Sequence, residues 1–304
     1  MERVAKKWVI IECPSNLGLS QFDERREPGV RKLPDWLQQN GLHKELCPEK
    51  IIKIASPSYS MDIDRLTDVR NADKLVDYAL KQCREIGSEL NNGSFLILLG
   101  GDCSVLIGVG LALKRKGNFA LFYLDGHTDY MKPEQSQTHG AAGMALAIAT
   151  GFGHSKLTNV NNLEPYFDPK NVFCVGNREY DEDYEKPIKD SVIKYIPLNK
   201  LRKKGIENII EQFESLVSSD KIDGFLIHLD VDVLNDGIMP AVDSRQNEGL
   251  SYQELKSLLI PLMKNKKATG IEITILDPDL DPKGMYTRPF VSTLIEIFNA
   301  VKIS

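Results

Sequence analysis

Leu124-Asp125-Gly126-His127-Thr128-Asp129 is the stretch on which the reading of this chain turns. It follows the apolar run 119–123, so it sits where a buried strand empties into a loop, the place at which open α/β sheets bind ligands. Two carboxylates and an imidazole spaced one residue apart can converge on a hard or borderline cation. A second acidic pair repeats the pattern in His228-Leu229-Asp230-Val231-Asp232, at the end of the apolar run 225–229. Residues two apart on a strand share a face, so Asp230 and Asp232 are expected to point at the same ion. Together the clusters predict a metal centre bridged by carboxylates.

Outward from these motifs, short apolar runs alternate with helical patterns. Strands are expected at 8–12, 51–55, 95–99, 119–124, 172–175, 192–196, 225–230 and 268–275. Helices are expected at 72–90, 104–115, 206–218, 251–264 and 289–301. Strands that are apolar throughout, rather than alternating, belong to a parallel sheet covered on both faces. No repeat, low-complexity tract or Pro/Gly/Ser linker divides the chain. Residues 1–304 therefore read as one doubly wound α/β domain.

A hydrophobic content of 42% and a charged content of 27% are those of an ordinary globular protein. The net charge of -5 leaves no basic excess to neutralise phosphates and argues against a nucleic-acid partner. The only apolar run near the start, 8–11, is too short for a signal peptide, and nothing elsewhere approaches a membrane span. A cytoplasmic protein with no membrane partner is expected. Cys13, Cys47, Cys83, Cys103 and Cys174 form no CxxC pair, and an odd set of scattered thiols fits a reducing compartment.

Read in order, the motifs resemble the ureohydrolase superfamily: arginase, agmatinase and formimidoylglutamase. Leu99-Gly100-Gly101-Asp102-Cys103-Ser104 is similar to its GGDHS, Asp125-Gly126-His127-Thr128-Asp129 to DAHxD, and His139-Gly140 to the HG of its substrate loop. Gly176-Asn177-Arg178-Glu179-Tyr180-Asp181 resembles GxRDxD. Leu229-Asp230-Val231-Asp232-Val233-Leu234, Pro240-Ala241 and Gly249-Leu250-Ser251 resemble SFDVDxxDP…PA…GGLS. The resemblance runs from Glu27-Pro28-Gly29 onward, and it is the order and spacing that make it specific.

The resemblance implies a three-layer α/β/α fold with two divalent ions, Mn²⁺, at the C-terminal ends of the strands. Asp125, His127, Asp129, Asp230 and Asp232 match its metal ligands. Asp129 matches the carboxylate that takes a proton as metal-bound hydroxide attacks a planar amidino or guanidino carbon. His139 matches a histidine with proton-transfer or substrate roles, and Asp181, in the stretch that resembles GxRDxD, is either a substrate-binding acid or a plain surface acid. A small-molecule substrate and a homo-oligomer, trimer or hexamer, are implied too.

Two departures stand out. Cys103 replaces the histidine of GGDH, and a thiolate suits Zn²⁺ or Fe²⁺ better than Mn²⁺. Aligning Pro278 with the proline of the family's EVNP or EVSP places Ile275 where a glutamate holds the guanidinium, while Glu272, of opposite strand parity, is expected to face away. His228, of the same parity as Asp230, reads either as a histidine bonded behind the ligands or as a ligand compensating for Cys103. His43 and His154 read as plain surface residues. The expected activity is metal-dependent hydrolysis of a non-peptide C–N bond in a linear amidino, guanidino or formimino compound, inefficient on free arginine. The rival readings are a metal-poor, inactive homologue with a binding or regulatory role, and a thiol enzyme with Cys103 as nucleophile.

Overall fold

The structure is a computed structural model that describes residues 7–22 and 26–302. Eight strands form a single sheet: β1 (Trp8–Glu12), β2 (Lys50–Lys53), β3 (Phe95–Leu99), β4 (Phe119–Leu124), β5 (Val172–Val175), β6 (Lys194–Ile196), β7 (Gly224–Asp230) and β8 (Ala268–Thr274). Their order is β2-β1-β3-β8-β7-β4-β5-β6, and every pairing is parallel. This is the three-layer α/β architecture expected from the uninterrupted apolar runs, and all eight expected strands are present. The strand expected at 51–55 starts one residue earlier and ends two earlier, as β2, a sheet edge exposed at Lys50, Ile51 and Lys53. Lysines on an edge discourage pairing with another sheet.

Strand parity sorts the core into two halves. Ile10, Ile97, Phe122, Ile227 and Ile271 face the helices Ile206–Val217, Tyr252–Lys264 and Thr287–Lys302. Val9, Leu98, Leu121 and Leu226 face Ala72–Asn91 and Leu106–Lys116. Helix Tyr252–Lys264 starts at a capping box, in which Ser251 Oγ accepts from Glu254 N at 3.2 Å and Glu254 Oε2 accepts from Ser251 N at 2.8 Å. This reciprocal pairing satisfies two otherwise orphaned donors.

The expected helices shift by a few residues at their ends, and 104–115 opens with a 3₁₀ turn at Cys103–Val105. The sequence reading had no element at Leu33–Gln39, Leu42–Leu46, Ala145–Ala149, Glu182–Lys189 or Leu198–Lys204. No helix among the described residues is long and apolar enough to cross a membrane.

Candidate metal centre

At the C-terminal end of β3 the backbone passes so close to the segment after β1 that a Cβ on Gly101 would lie 1.6 Å from Ser15 O. Only glycine fits. The next residue, fully buried Asp102, accepts from Ser104 N at 2.9 Å and from Ser15 Oγ at 3.0 Å. These bonds cap the 3₁₀ turn and fix Cys103, which donates through Sγ to Asp230 Oδ2 at 2.9 Å and touches Thr274 Oγ1 at 3.2 Å.

The loop after β4 carries Asp125, His127 and Asp129. Asp125 Oδ1 accepts from His127 N at 2.6 Å, folding the loop back on its own carboxylate. Gly126, where the resemblance places alanine, leaves room for Arg178: an added Cβ would lie 2.2 Å from Arg178 Nη1. Arg178 in turn donates to Asp232 O at 2.6 Å and Asn247 O at 3.1 Å. Asp129 has a left-handed φ of 44°, and its Oδ2 accepts from the Tyr123 hydroxyl at 2.5 Å. Strain of this kind gathers at functional sites.

β7 ends at Asp230, and Val231–Val233 is a 3₁₀ turn. Asp230 and Asp232 are thus brought together by a turn and not by strand parity, with Asp230 Oδ1 accepting from Asp232 N at 2.8 Å. They belong to different donor sets. One comprises Cys103, Asp125, His228 and Asp230, the other Asp125, His127 and Asp232; within each set the ligand atoms lie within 4.8 Å of one another. Asp125 belongs to both. Its Oδ2 and the Nε2 of His228 are buried with no hydrogen-bond partner among the described residues. Such atoms are costly when left bare, and they give this donor set the capacity for divalent metal. Asp129 stands beside these sets and lines the same cleft, of about 350 Å³.

Electrostatics point the same way. Burial, then repulsion from Asp129 and Asp232, holds Asp125 well above the carboxylate range. Burial and then Asp232 and Asp125 do the same to Asp230. Asp129 is lifted to about 8, chiefly by burial. Asp232 goes the other way: although burial opposes ionisation, His127 and Arg178 outweigh it. Burial also opposes the charge on His127, but Asp232 Oδ2, 2.8 Å from its Nδ1, carries it to about 9. The cavity concentrates negative charge that a cation would neutralise.

Other expected residues lie further out. Ile275 lines the cleft with Met131, Tyr184 and Asp243. His139 has φ 53° and turns its ring to Asp68, with Nδ1 3.0 Å from Asp68 O and 3.3 Å from Asp68 Oδ2. Asp181 is exposed and caps helix Glu182–Lys189 by accepting from Tyr184 N at 2.9 Å. Neither His139 nor Asp181 is among the cleft-lining residues.

Two expectations need correction. Glu272 does not face away: its Oε2 lies 2.6 Å from His228 Nδ1. The parity count from Ile275 fails because β8 stops at Thr274 and Ile275 has φ 76°. His43 is not a surface residue but is buried against Glu12, 3.0 Å away; His154 is half-buried and caps Ser155–Thr158.

Sequence reasoning missed Tyr123, Tyr184, Glu272 and Asp243. Tyr123 and Glu272 are the register partners of His228 on the flanking strands, so alignment of the strands would have found them. Asp243, in the loop beyond Pro240-Ala241, is raised to about 6, first by burial and then by Asp232; nothing in its sequence neighbourhood marks it.

Comparison with known proteins agrees with this arrangement. The chain is 30% identical to an arginase of Staphylococcus aureus (strain MRSA252) over 297 residues, 95% of this chain and 96% of that protein. Among solved structures, the arginase of Bacillus subtilis superposes with a TM-score of 0.83 at 25% identity, covering 96% of this chain and 98% of that one. The formimidoylglutamase of the same organism superposes with a TM-score of 0.72 at 21% identity, covering 100% and 90%, a likeness of fold. Residues 6–298 match the arginase family, and the chain belongs to it, as a distant member of the ureohydrolase superfamily.

Proposed function

We propose that the chain hydrolyses a carbon–nitrogen bond other than a peptide bond, in a linear amidino, guanidino or formimino compound, with two divalent cations as cofactors. Asp125, His127, Asp129, Asp230 and Asp232 would hold the ions, with Cys103 or His228 completing the first subsite. A donor set rich in carboxylates suits Mn²⁺, whereas a Cys103 thiolate would favour Zn²⁺ or Fe²⁺. When bound, such ions act as Lewis acids and make water a nucleophile near neutral pH. The observation that carries this reading is the sharing of Asp125 by two donor sets, the first buried throughout and the second with His127 half-buried, beside a cleft lined by His127, Asp129, Asp230 and Asp232.

The chain's own groups then have distinct tasks. Asp129, with Oδ2 held by Tyr123, is the carboxylate placed to accept a proton in the cleft. Ile275, buried in the cleft wall, offers a substrate no charge, which supports a substrate other than free arginine. Asp243 and Glu179 are the cleft-lining acids outside the donor sets that could meet a cationic group. His139 and Asp181 are candidate substrate contacts outside the cleft lining, and His139 would have to leave Asp68 to reach further in. The relatives named arginase support the substrate class. On the same reading the whole chain is one catalytic unit, cytoplasmic, and assembled as a homo-trimer or hexamer, which sedimentation would test.

Protein loaded in turn with Mn²⁺, Zn²⁺ and Fe²⁺ should release ammonia, urea or formamide from at least one member of a panel of guanidino, amidino and formimino compounds. Release from none of them with any metal would overturn the proposal.

A further inference from the structure

We propose that His228, fixed by Glu272, is the imidazole ligand of the first cation subsite, with Glu272 as its positioning residue. The assignment rests on the metal-dependent reading above and adds to it a specific ligand arm. Three adjacent strands build the arm. Tyr123 of β4, His228 of β7 and Glu272 of β8 are neighbours in the sheet register and share one face. The His228 ring stacks on Tyr123, with centroids 4.3 Å apart and planes within 3°, which fixes its plane. Its Nδ1 lies 2.6 Å from Glu272 Oε2, which fixes its rotation. All three side chains are completely buried.

That geometry orients Nε2. A hydrogen bond donated by Nδ1 to Glu272 Oε2, 2.6 Å away, leaves the lone pair on Nε2, on the opposite side of the ring. Among the described residues Nε2 has no hydrogen-bond partner, and the donor atoms of Cys103, Asp125 and Asp230 all lie within 4.8 Å of a ring nitrogen of His228. A carboxylate behind an imidazole whose other nitrogen points into a cluster of donors is the arrangement by which proteins raise the basicity of a metal-bound histidine. Cys103 is engaged differently, with Sγ donating to Asp230 Oδ2 at 2.9 Å and touching Thr274 Oγ1 at 3.2 Å. Among the described residues no hydrogen-bond partner is left for Nε2, so the ligand role falls to His228.

The test is Co²⁺ binding by the full chain, with metal content from elemental analysis and ligand type from X-ray absorption. Wild type should take up about two ions per chain with imidazole scattering and no sulfur shell. His228→Ala and His228→Gln should each retain about one ion and lose part of the imidazole scattering. Glu272→Gln should weaken one of the two binding steps by about 10–100-fold, with Glu272→Asp recovering part of the loss. Cys103→Ser should keep both ions. Circular dichroism on each variant separates loss of a ligand from loss of the fold, and Glu272→Gln, which conserves shape, carries the test if His228 variants misfold. Two ions with unchanged imidazole scattering in a folded His228→Gln, no change in affinity in Glu272→Gln, or a sulfur shell in wild type would each overturn the assignment. A wild type that binds no Co²⁺ would overturn the metal-dependent reading itself, and the assignment with it.

Discussion

The Tyr123 hydroxyl donates to Asp129 Oδ2 at 2.5 Å, deep inside the sheet. Burial, and then the nearby carboxylates, keep this phenol neutral by raising it far above its ordinary range, so it remains a donor at any physiological pH. The bond lowers the proton affinity of Asp129, which burial otherwise raises. Tyr123→Phe keeps a ring to stack on His228 but leaves Asp129 without its donor. It should cost about 1–3 kcal/mol of stability and weaken metal binding, read by urea unfolding and Mn²⁺ titration. Unchanged stability together with unchanged affinity would show that the bond does not matter.

Metal-free protein should lose stability as pH rises from about 4 to about 9. Asp129 and Asp243 have folded values of about 8 and about 6 against 3.8 for an ordinary aspartate. The native state therefore holds protons that the unfolded chain has released, and stability falls through that window. His127, raised from 6.5 to about 9 by its carboxylate neighbours against the cost of burial, contributes stability that is complete below 6.5 and is lost as pH rises through 9. Asp232, whose value is lowered, works oppositely but only below the ordinary aspartate range. A divalent cation should replace the protons and reverse the loss. Melting of chelated protein at pH 5 and pH 8, with and without Mn²⁺, checks this; equal stability at both pH values, unaffected by metal, would contradict it.

Free arginine should be a poor substrate whichever metal is supplied. Ile275, 3% exposed, forms part of the cleft wall, and missing a desolvated carboxylate partner costs a guanidinium about 3–5 kcal/mol of binding. The expected kcat/KM lies below ~10⁴ M⁻¹s⁻¹. A steady-state urea assay giving a higher value would show that another residue, Asp243 being the nearest candidate in kind, holds the cation.

The sheet was legible because buried parallel strands have no polar alternation to confuse the eye: Phe119–Leu124 and Gly224–Asp230 are buried from end to end. The edge strand β2, exposed at three of its four residues, gave a register off by one at its start. Short helices were invisible for the opposite reason. Leu33–Gln39 has a proline in its first turn and Glu182–Lys189 has Pro187 inside, so neither spans enough residues to show a helical period.

At the site, the spacing of Asp125, His127 and Asp129 announced itself, since one loop carries all three. Glu272 did not, because counting alternation backwards from Ile275 assumes a strand that has already ended. The cross-strand row Tyr123–His228–Glu272 is a property of register, which a single sequence does not print.

The central claim is that Asp125 is shared by two cation subsites, and the ion content of the protein tests it most directly. Wild type purified without chelator and analysed by mass spectrometry for divalent metals should carry about two ions per chain. Asp125→Asn, which keeps the shape and removes the charge both subsites share, should carry close to none while remaining folded. A folded wild type with near-zero metal and no uptake of Mn²⁺, Zn²⁺ or Fe²⁺, or an Asp125→Asn variant that keeps both ions, would contradict the account.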